Sequence, residues 1–357
     1  MKKFIPLLAI IPMVLLALTP PWQFQLDCTV NSLAWLWAVL ISGFLAFLFT
    51  YLNVSIWLKG FVIWAFVGCF ISRAPFLSFT MYWSLIACAY FYALCRNISD
   101  WRPVFKVAQS LFFLVCLMLI MQLIGKDTLL NFKQPEAMLM GTIGNNMMFS
   151  SFICCLAPFL IINPLNWIPL GLIGLISGSS GGLLALGMGG ATLLWVKVKR
   201  LRWLIVALIA SIILYAGLTG DINTFFSRAG RGPVWKKTIE LTTKTPLGHG
   251  IGTYKVLFPY LCGAEIRDQQ PGREWARAHN SFLQIPFEVG IPGFILLMGW
   301  IVSIVRKIKN PVKLAGLMIL AGVMSCQFPD RMCQSVLIIL MFLAWCSQGE
   351  EYEQVQG

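Results

Sequence analysis

Long apolar runs, separated by short polar segments, occupy most of the chain. A helix needs about 20 apolar residues to cross the hydrocarbon core of a bilayer, so these runs predict membrane-spanning helices. The longest run, 167–196, is interrupted by Ser-Gly-Ser-Ser-Gly-Gly, which predicts two short spans with a tight turn; one long tilted helix is the alternative. With that pair, twelve spans are predicted, the other ten at 4–19, 33–52, 56–71, 76–95, 104–124, 147–162, 203–219, 286–305, 312–328 and 332–347.

The composition agrees with this pattern. Hydrophobic residues make up 58% of the 357 residues and charged residues 11%, with a mean hydropathy of +0.78. A soluble domain carries about 25% charged residues. We therefore expect an all-α integral membrane protein with about 12 transmembrane helices and one large periplasmic loop.

The positions of Lys and Arg predict the orientation of the spans. Short cytoplasmic loops carry an excess of these residues. With the N-terminus inside, the basic clusters at 96–106, 197–202 and 306–313 all face the cytoplasm. Twelve spans bring the C-terminus to the same side. The net charge of +13 is therefore explained by topology and indicates no nucleic-acid partner.

One polar segment is much longer than the other loops. It lies on the outer face, between the ninth and tenth predicted spans, and it is rich in Arg and Lys. Loops of this length usually fold as a cap or carry a functional site. Since long loops escape the orientation rule, an anionic ligand is a reason for these charges. The predicted organisation is nine spans over 1–219, a periplasmic loop with the active site over 220–285, three spans over 286–347 and an acidic cytoplasmic tail over 348–357.

A helix is predicted inside this loop, after Arg228. Pro233 suits its first turn, and Pro246 ends it. Arg228 and Arg231 then lie at the helix N-terminus, where free N–H groups and the helix dipole favour an anion. Two guanidinium groups suit a diphosphate because Arg binds phosphate oxygens in a bidentate manner. Trp235 and its apolar neighbours can rest on the membrane surface while the lysines of the helix face lipid headgroups. The alternative to a diphosphate site is that the two arginines also only snorkel to those headgroups.

His279 lies at the mouth of the tenth predicted span, between Arg277 and Asn280. As one face of a helix, His279, Phe282 and Leu283 would form a packed interfacial surface, which is a structural role. The functional alternative rests on the neighbouring arginines. Adjacent cations disfavour the imidazolium form, so a neutral ring that can accept a proton is expected. Such a ring can act as a general base towards a sugar or serine hydroxyl.

Several short motifs, taken together, resemble one protein family. In chain order they are Gly-x-x-Gly-Asn145-Asn, the pair Arg231 and Trp235, Pro-x-Gly-x-Gly at 246–250, Ala-His-Asn-x-Phe-Leu at 278–283 and Glu-x-Gly-x-x-Gly at 288–293. This order resembles the O-antigen ligase and O-antigen polymerase superfamily of bacterial inner-membrane glycosyltransferases. The resemblance covers about residues 140–300.

The resemblance implies a GT-C-like glycosyltransferase that acts without a metal or cofactor. Its donor would be a glycan on undecaprenyl diphosphate, and its acceptor a hydroxyl of lipid A–core, of a glycan or of a protein at the periplasmic face. His279 would take the catalytic position. Arg231 and Arg228 would bind the diphosphate and stabilise the charge of the leaving group. A supporting role is implied for Asn145, Trp235, Asn280 and Glu288.

One position departs from the family pattern. The family carries Ser-Arg-Gly at the outer end of a mid-chain helix, and its Arg lines the diphosphate pocket. Here the segment reads Ser179-Ser180-Gly181. Either Arg73 or an arginine of the loop, such as Arg277, supplies that charge, or the donor is held differently. For Arg73 the alternative is a side chain that snorkels to the interface.

Four functions stay open on the sequence. They are a ligase that transfers a finished polysaccharide to lipid A–core, a polymerase that extends the lipid-linked glycan, a protein O-oligosaccharyltransferase, and a transporter of lipid-linked glycan. Coupled carriers place ionisable groups near the middle of their spans, whereas the only acidic residue that touches a predicted span is Glu288, at its outer edge. A transferase is therefore favoured. No separate acceptor-binding domain is expected, which favours the ligase or the polymerase, with the ligase first.

Overall fold

The structure is a computed structural model that describes residues 54–124, 146–199, 202, 231–264, 266, 275–327, 329 and 333–348. The regular elements in these ranges are helices, with no β-strand among them. The all-α expectation is confirmed for this part of the chain. Several predicted features lie outside the described residues: the spans 4–19, 33–52 and 203–219, Arg228 and Asn145.

The α-helices follow the apolar runs closely. In chain order they are α1 (Ile56–Ile71), α2 (Pro75–Cys95), α3 (Arg102–Leu123), α4 (Asn146–Leu160), α5 (Trp167–Ile176), α6 (Ser180–Lys197), α7 (Arg231–Lys244), α8 (Tyr254–Leu261), α9 (Ser281–Val305), α10 (Pro311–Cys326) and α11 (Cys333–Ser347). Polar caps set several of the starts. Ser55 accepts from the Leu58 N–H before α1, and Asn310 accepts from the Val312 N–H before α10, which satisfies N–H groups that the helix leaves unpaired.

Two helix boundaries can be compared with the predicted spans. α5 and α6 are separate helices with Gly178 in the turn at φ +64°, so the predicted break is confirmed and the single long helix is wrong. α9 begins at Ser281, earlier than the predicted start at 286. The cause is Asn280, whose Oδ1 accepts from the Leu283 N–H at 3.3 Å and caps the helix.

Among the described helices, three are long and apolar enough to cross a membrane, namely α2, α3 and α9. Helices α1, α4, α10 and α11 are apolar but shorter. Large apolar side chains such as Ile63 on α1 and Phe113 on α3 are well exposed, a surface that soluble proteins rarely present over a large area. The twelve-span topology stays a prediction.

The described residues fall into two compact units. The first is drawn from Ile86–Thr192 and Ile304–Gly357. Nearly all of α4 is buried there, packed against α3, α5, α10 and α11. Small residues let α6 and α10 approach closely, since a Cβ added at Gly322 would lie 2.8 Å from the Ala185 Cα; small residues serve the same purpose between membrane helices generally.

The second unit is drawn from Val54–Leu85 and Leu193–Ser303. α1 and α9 approach closely at Gly293, where an added Cβ would lie 2.7 Å from the Trp64 ring. The Trp64 Nε1–H donates to the Val289 carbonyl at 2.7 Å. α7, α8 and the start of α9 form a core whose buried members include Val234, Tyr254 and Phe287. The predicted functional residues that the structure describes all belong to this unit.

Candidate active site

Residues 245–253, which join α7 to α8 and are termed the glycine loop, are bound to α9 through the backbone. The His249 N–H donates to the carbonyls of Phe287 and Glu288, both at 3.1 Å. The Gly250 N–H donates to the Glu288 carbonyl at 2.8 Å, and the Ile291 N–H donates to the Pro246 carbonyl at 2.8 Å. The two segments therefore hold each other in a fixed register where α9 departs from helical geometry.

This approach requires glycine on both sides. Gly290 has φ +74° and ψ 173° inside α9, and a Cβ there would lie 2.4 Å from the Leu247 carbonyl carbon. Gly248 has φ +88°, and its Cβ would lie 2.4 Å from the Gly290 nitrogen. Residues that carry a Cβ rarely adopt a positive φ, and at both positions the added Cβ would also overlap backbone atoms. The glycines of the Pro-x-Gly-x-Gly and Glu-x-Gly-x-x-Gly motifs thus meet one another.

His249 is a buried member of the glycine loop, with 2% of its surface exposed. Its ring stacks on Phe287 with the centroids 4.2 Å apart, and Nδ1 lies 3.0 Å from the Phe287 carbonyl oxygen. Because a carbonyl only accepts, Nδ1 carries the proton and Nε2 of the neutral ring is the acceptor. Burial, assisted by the charge of Arg73, lowers the pKa of His249, while the bond to Phe287 acts in the opposite direction.

The lowered pKa of His249 predicts acid lability of the second unit. Below the ordinary value of 6.5 the unfolded chain binds a proton that the folded chain does not, so the stability of the fold falls as the pH falls through this window. The loss is at most about 1.4 kcal/mol per pH unit. We expect the thermal unfolding midpoint of the wild type to drop more between pH 7.5 and pH 5.5 than that of His249→Gln, which does not titrate. Equal drops would contradict the assignment.

His279 does not lie on a helical face. It precedes α9 with φ +52°, in the left-handed region, so the predicted interfacial helix through His279 is wrong. A non-glycine residue there costs roughly 1–3 kcal/mol and persists only where its surroundings hold it. The half-buried ring contacts Trp275 edge to face, with the centroids 6.0 Å apart. Asn280 follows as the cap of α9.

The residue before His279 is held on both sides. The Ala278 carbonyl accepts from the Trp235 Nε1–H at 2.7 Å, and the Ala278 N–H donates to the Gln284 Oε1 at 3.2 Å. Trp235 lies on α7, so the hydrogen bond from Trp235 to Ala278 connects α7 to the histidine turn, which we define as residues 277–280. A residue fixed at both backbone polar groups leaves little freedom to its neighbour His279.

α7 packs on protein rather than lying free on a membrane surface. Val234 is fully buried in the core of this unit, and Thr238 shares a hydrogen bond of 2.8 Å with the Tyr254 hydroxyl. Lys237 and Lys244 both pair with Glu240, at 2.9 and 2.6 Å. These bonds lower the pKa of Glu240 to about 2. Glu240 thus pairs with two lysines within the helix, and their place among lipid headgroups stays a prediction.

Glu288 belongs to a buried polar chain. Its carboxylate accepts from the Gly252 N–H at 2.7 Å and from the Gln284 Nε2 at 3.1 Å. Gln284 also accepts from Ala278, as described above. Sequence reasoning missed Gln284, although a polar residue one helical turn before Glu288 in an apolar segment is a visible signal.

The described arginines occupy three places in the unit. Arg231 is the first residue of α7, one turn before Trp235 and so on the same side of the helix. Arg277 comes two residues before His279 and is half-buried. Arg73 is exposed, next to Ser72, whose hydroxyl donates to the His249 carbonyl at 2.9 Å. Arg277 thus belongs to the histidine turn, Arg231 begins the helix whose Trp235 bonds to that turn, and Arg73 lies beside the glycine loop.

The segment that lacks the family's Arg lies in the first unit. Ser180 begins α6, and Ser179 before it is buried and accepts from the Gln327 Nε2 at 2.8 Å. Ser151 hydrogen-bonds to the same Gln327 side chain. The described residues that bond at this position, Ser151, Ser179 and Gln327, therefore form a neutral polar cluster.

In the part of the chain that the structure describes, these features define a helical membrane protein in which a polar segment between apolar helices brings histidines and arginines to the start of α9, which carries a buried carboxylate. Residues 165–298 match the sequence model of a protein family described as O-antigen ligase. The match contains the glycine loop, Arg231 and His279, and it confirms the resemblance to the O-antigen ligase and polymerase superfamily. A match to this family indicates a glycosyltransferase activity of the ligase or polymerase type, with lipid-linked glycan and a glycan acceptor as substrates in a membrane. No curated protein matches the chain.

Proposed function

We propose that this protein is an O-antigen ligase that transfers a glycan from undecaprenyl diphosphate to a hydroxyl of lipid A–core, at the periplasmic face of a bacterial inner membrane. The observation that carries the proposal is His279, held at φ +52° by its neighbours inside a segment that matches the O-antigen ligase family. Backbone strain of this kind clusters at functional sites, where the surrounding structure maintains it.

His279 acts as the general base in this proposal. Its neutral imidazole accepts the proton of the acceptor hydroxyl as the hydroxyl oxygen forms a bond to the anomeric carbon of the donor sugar. The bond from that carbon to the diphosphate oxygen breaks, and its electron pair leaves with undecaprenyl diphosphate. No metal or cofactor is required by these steps, because the leaving group is already an anion that cations can stabilise.

Arg231 supplies positive charge that binds and stabilises the anionic leaving group, with Arg228 and Arg277 as further hydrogen-bond donors. Arg231 lies at the N-terminal end of a helix of 14 residues, where the helix dipole adds to the guanidinium charge. Trp235, one turn later, donates to Ala278 and so keeps this end of α7 beside the histidine turn. Arg73 is a second candidate for the donor diphosphate through its place at the glycine loop.

Arg231→Ala is expected to reduce kcat/KM for the lipid-linked donor by about 10- to 100-fold, since a charge-assisted hydrogen bond contributes roughly 1.5–3 kcal/mol. Arg231→Lys keeps the charge but loses the bidentate geometry, and we expect a partial defect. The matched control is Lys236→Ala, an exposed cation on the same helix, which should stay near the wild-type value. Donor titrations with purified protein measure all three, and equal defects in Arg231→Ala and Lys236→Ala would argue against a specific anion site.

The ligase is favoured over the polymerase by the description of the matching family. Both reactions use the same donor and base and differ in the acceptor. We place the loop 220–285 on the periplasmic side, both chain termini in the cytoplasm and membrane lipids around the spans. A polysaccharide gel from a deletion strain separates the two activities: loss of a ligase leaves bare lipid A–core with polymer on the carrier, whereas loss of a polymerase leaves single capped repeats.

A further inference from the structure

Gln284 and Glu288 form a buried polar pair on α9. They are four residues apart and therefore share one face of the helix, and their exposed fractions are 1% and 2%. Buried polar groups persist when their hydrogen bonds are satisfied. Both side chains meet this condition through backbone partners that lie outside α9, so their contacts connect α9 to two other segments.

The backbone N–H groups of Ala278 and Gly252 fix which atom donates and which accepts in each hydrogen bond of this pair. An N–H group only donates, so the Ala278 N–H requires an oxygen of Gln284 at 3.2 Å. The Gln284 NH₂ group therefore faces Glu288, at 3.1 Å. The second Glu288 oxygen accepts from the Gly252 N–H at 2.7 Å. Reversing the amide of Gln284 would place two donors against each other.

We propose that Gln284 and Glu288 are positioning residues for His279, an inference that rests on the proposed function. They link the glycine loop, through Gly252, to Ala278, the residue next to the base. Trp235 holds the other polar group of Ala278. The left-handed backbone of His279 is thus maintained by a chain of bonds in which Gln284 is the central member, and loss of alignment at a base lowers the rate of the chemical step.

The directions of these bonds allow a swap experiment. Gln284→Glu alone sets two carboxyl groups against each other, and Glu288→Gln alone sets two NH₂ groups against each other. The double variant restores all three bonds and reverses only the one between the two side chains: the new glutamate accepts from Ala278 and from the new glutamine, which accepts from Gly252 through its oxygen. Composition and volume are unchanged in the double variant.

We expect each single variant to lower kcat by about tenfold or more, with the donor KM within about twofold of wild type, and the double variant to recover most of the loss. The measurement uses purified protein in lipid nanodiscs. The donor is the lipid-linked glycan that accumulates in membranes of a deletion strain, and the acceptor is bare lipid A–core. The thermal unfolding midpoint of each variant is recorded in the same buffer.

Three results would overturn the inference: single variants with wild-type kcat, a double variant no better than the singles, or losses of kcat that merely follow a lower unfolding midpoint. His279→Asn in the same assay tests the proposed function separately. An active His279→Asn enzyme refutes the base itself, and the positioning role with it. An inactive His279→Asn enzyme beside fully active single variants refutes only the positioning role.

Discussion

Gly290→Ala is expected to prevent the second unit from folding stably. The new Cβ would lie 2.4 Å from the Leu247 carbonyl carbon and 2.7 Å from the Pro246 oxygen, so backbone must move on one side or the other. Overpacking costs about 1–3 kcal/mol, and a side chain at φ +74° adds roughly 1–3 kcal/mol. Natural proteins have only about 5–15 kcal/mol of stability in total.

The matched control for Gly290→Ala is Gly263→Ala. Gly263 has a similar positive φ of +81°, but a Cβ there meets no atom within 4 Å. Gly263→Ala should therefore lower the free energy of unfolding only by the backbone strain of a positive φ, roughly 1–3 kcal/mol. We would compare the unfolding midpoints and the amounts of folded protein recovered in mild detergent. Equal behaviour of the two variants would show that the contact between the glycine loop and α9 does not stabilise the protein.

His279→Asn is expected to abolish glycan transfer while leaving the fold intact. Asparagine tolerates the left-handed region better than most residues, so it keeps the φ of +52° and removes only the imidazole. Loss of a general base lowers the rate by roughly 10²–10⁴-fold. His279→Ala is a poorer test, because alanine adds backbone strain at this position and confounds a loss of the base with a loss of structure.

The control for His279→Asn is His249→Asn. His249 is buried against Phe287 and its Nδ1–H is engaged with the Phe287 carbonyl, so its loss should lower the unfolding midpoint more than the rate of the folded enzyme. Initial rates per mole of folded protein distinguish the two effects. If His249→Asn proved inactive at full stability and His279→Asn proved active, the roles of the two histidines would have to be exchanged.

The sequence predicted the helices well because each apolar run carries its own signal. The bounds of α1 agree with the predicted span 56–71, and the break between α5 and α6 follows from a glycine-serine segment that interrupts the run. The predicted start of α9 lies five residues too late because hydropathy registers apolar residues, whereas the helix begins directly after its cap, Asn280. Hydropathy alone therefore misses a first turn in which the polar residues Ser281 and Gln284 interrupt the apolar run.

The site was predictable only in part. Short motifs singled out His279, Arg231 and the glycines, since these residue types are unusual beside a membrane helix. The left-handed backbone of His279 and the contact between Gly248 and Gly290 depend on segments about 40 residues apart in the chain, and local spacing carries no record of such pairs. Gln284 was missed because one of its partners, the Ala278 N–H, is a backbone group that any residue possesses.

The most direct test of the account is a surface-polysaccharide gel from a deletion strain that expresses wild-type protein or His279→Asn at equal amounts in the membrane. We expect the wild type to restore polymer on lipid A–core, whereas His279→Asn should leave bare lipid A–core with polymer retained on the carrier. Full restoration by His279→Asn would contradict the assignment of His279 as the base. A single capped repeat in the mutant strain would instead identify the reaction as polymerisation.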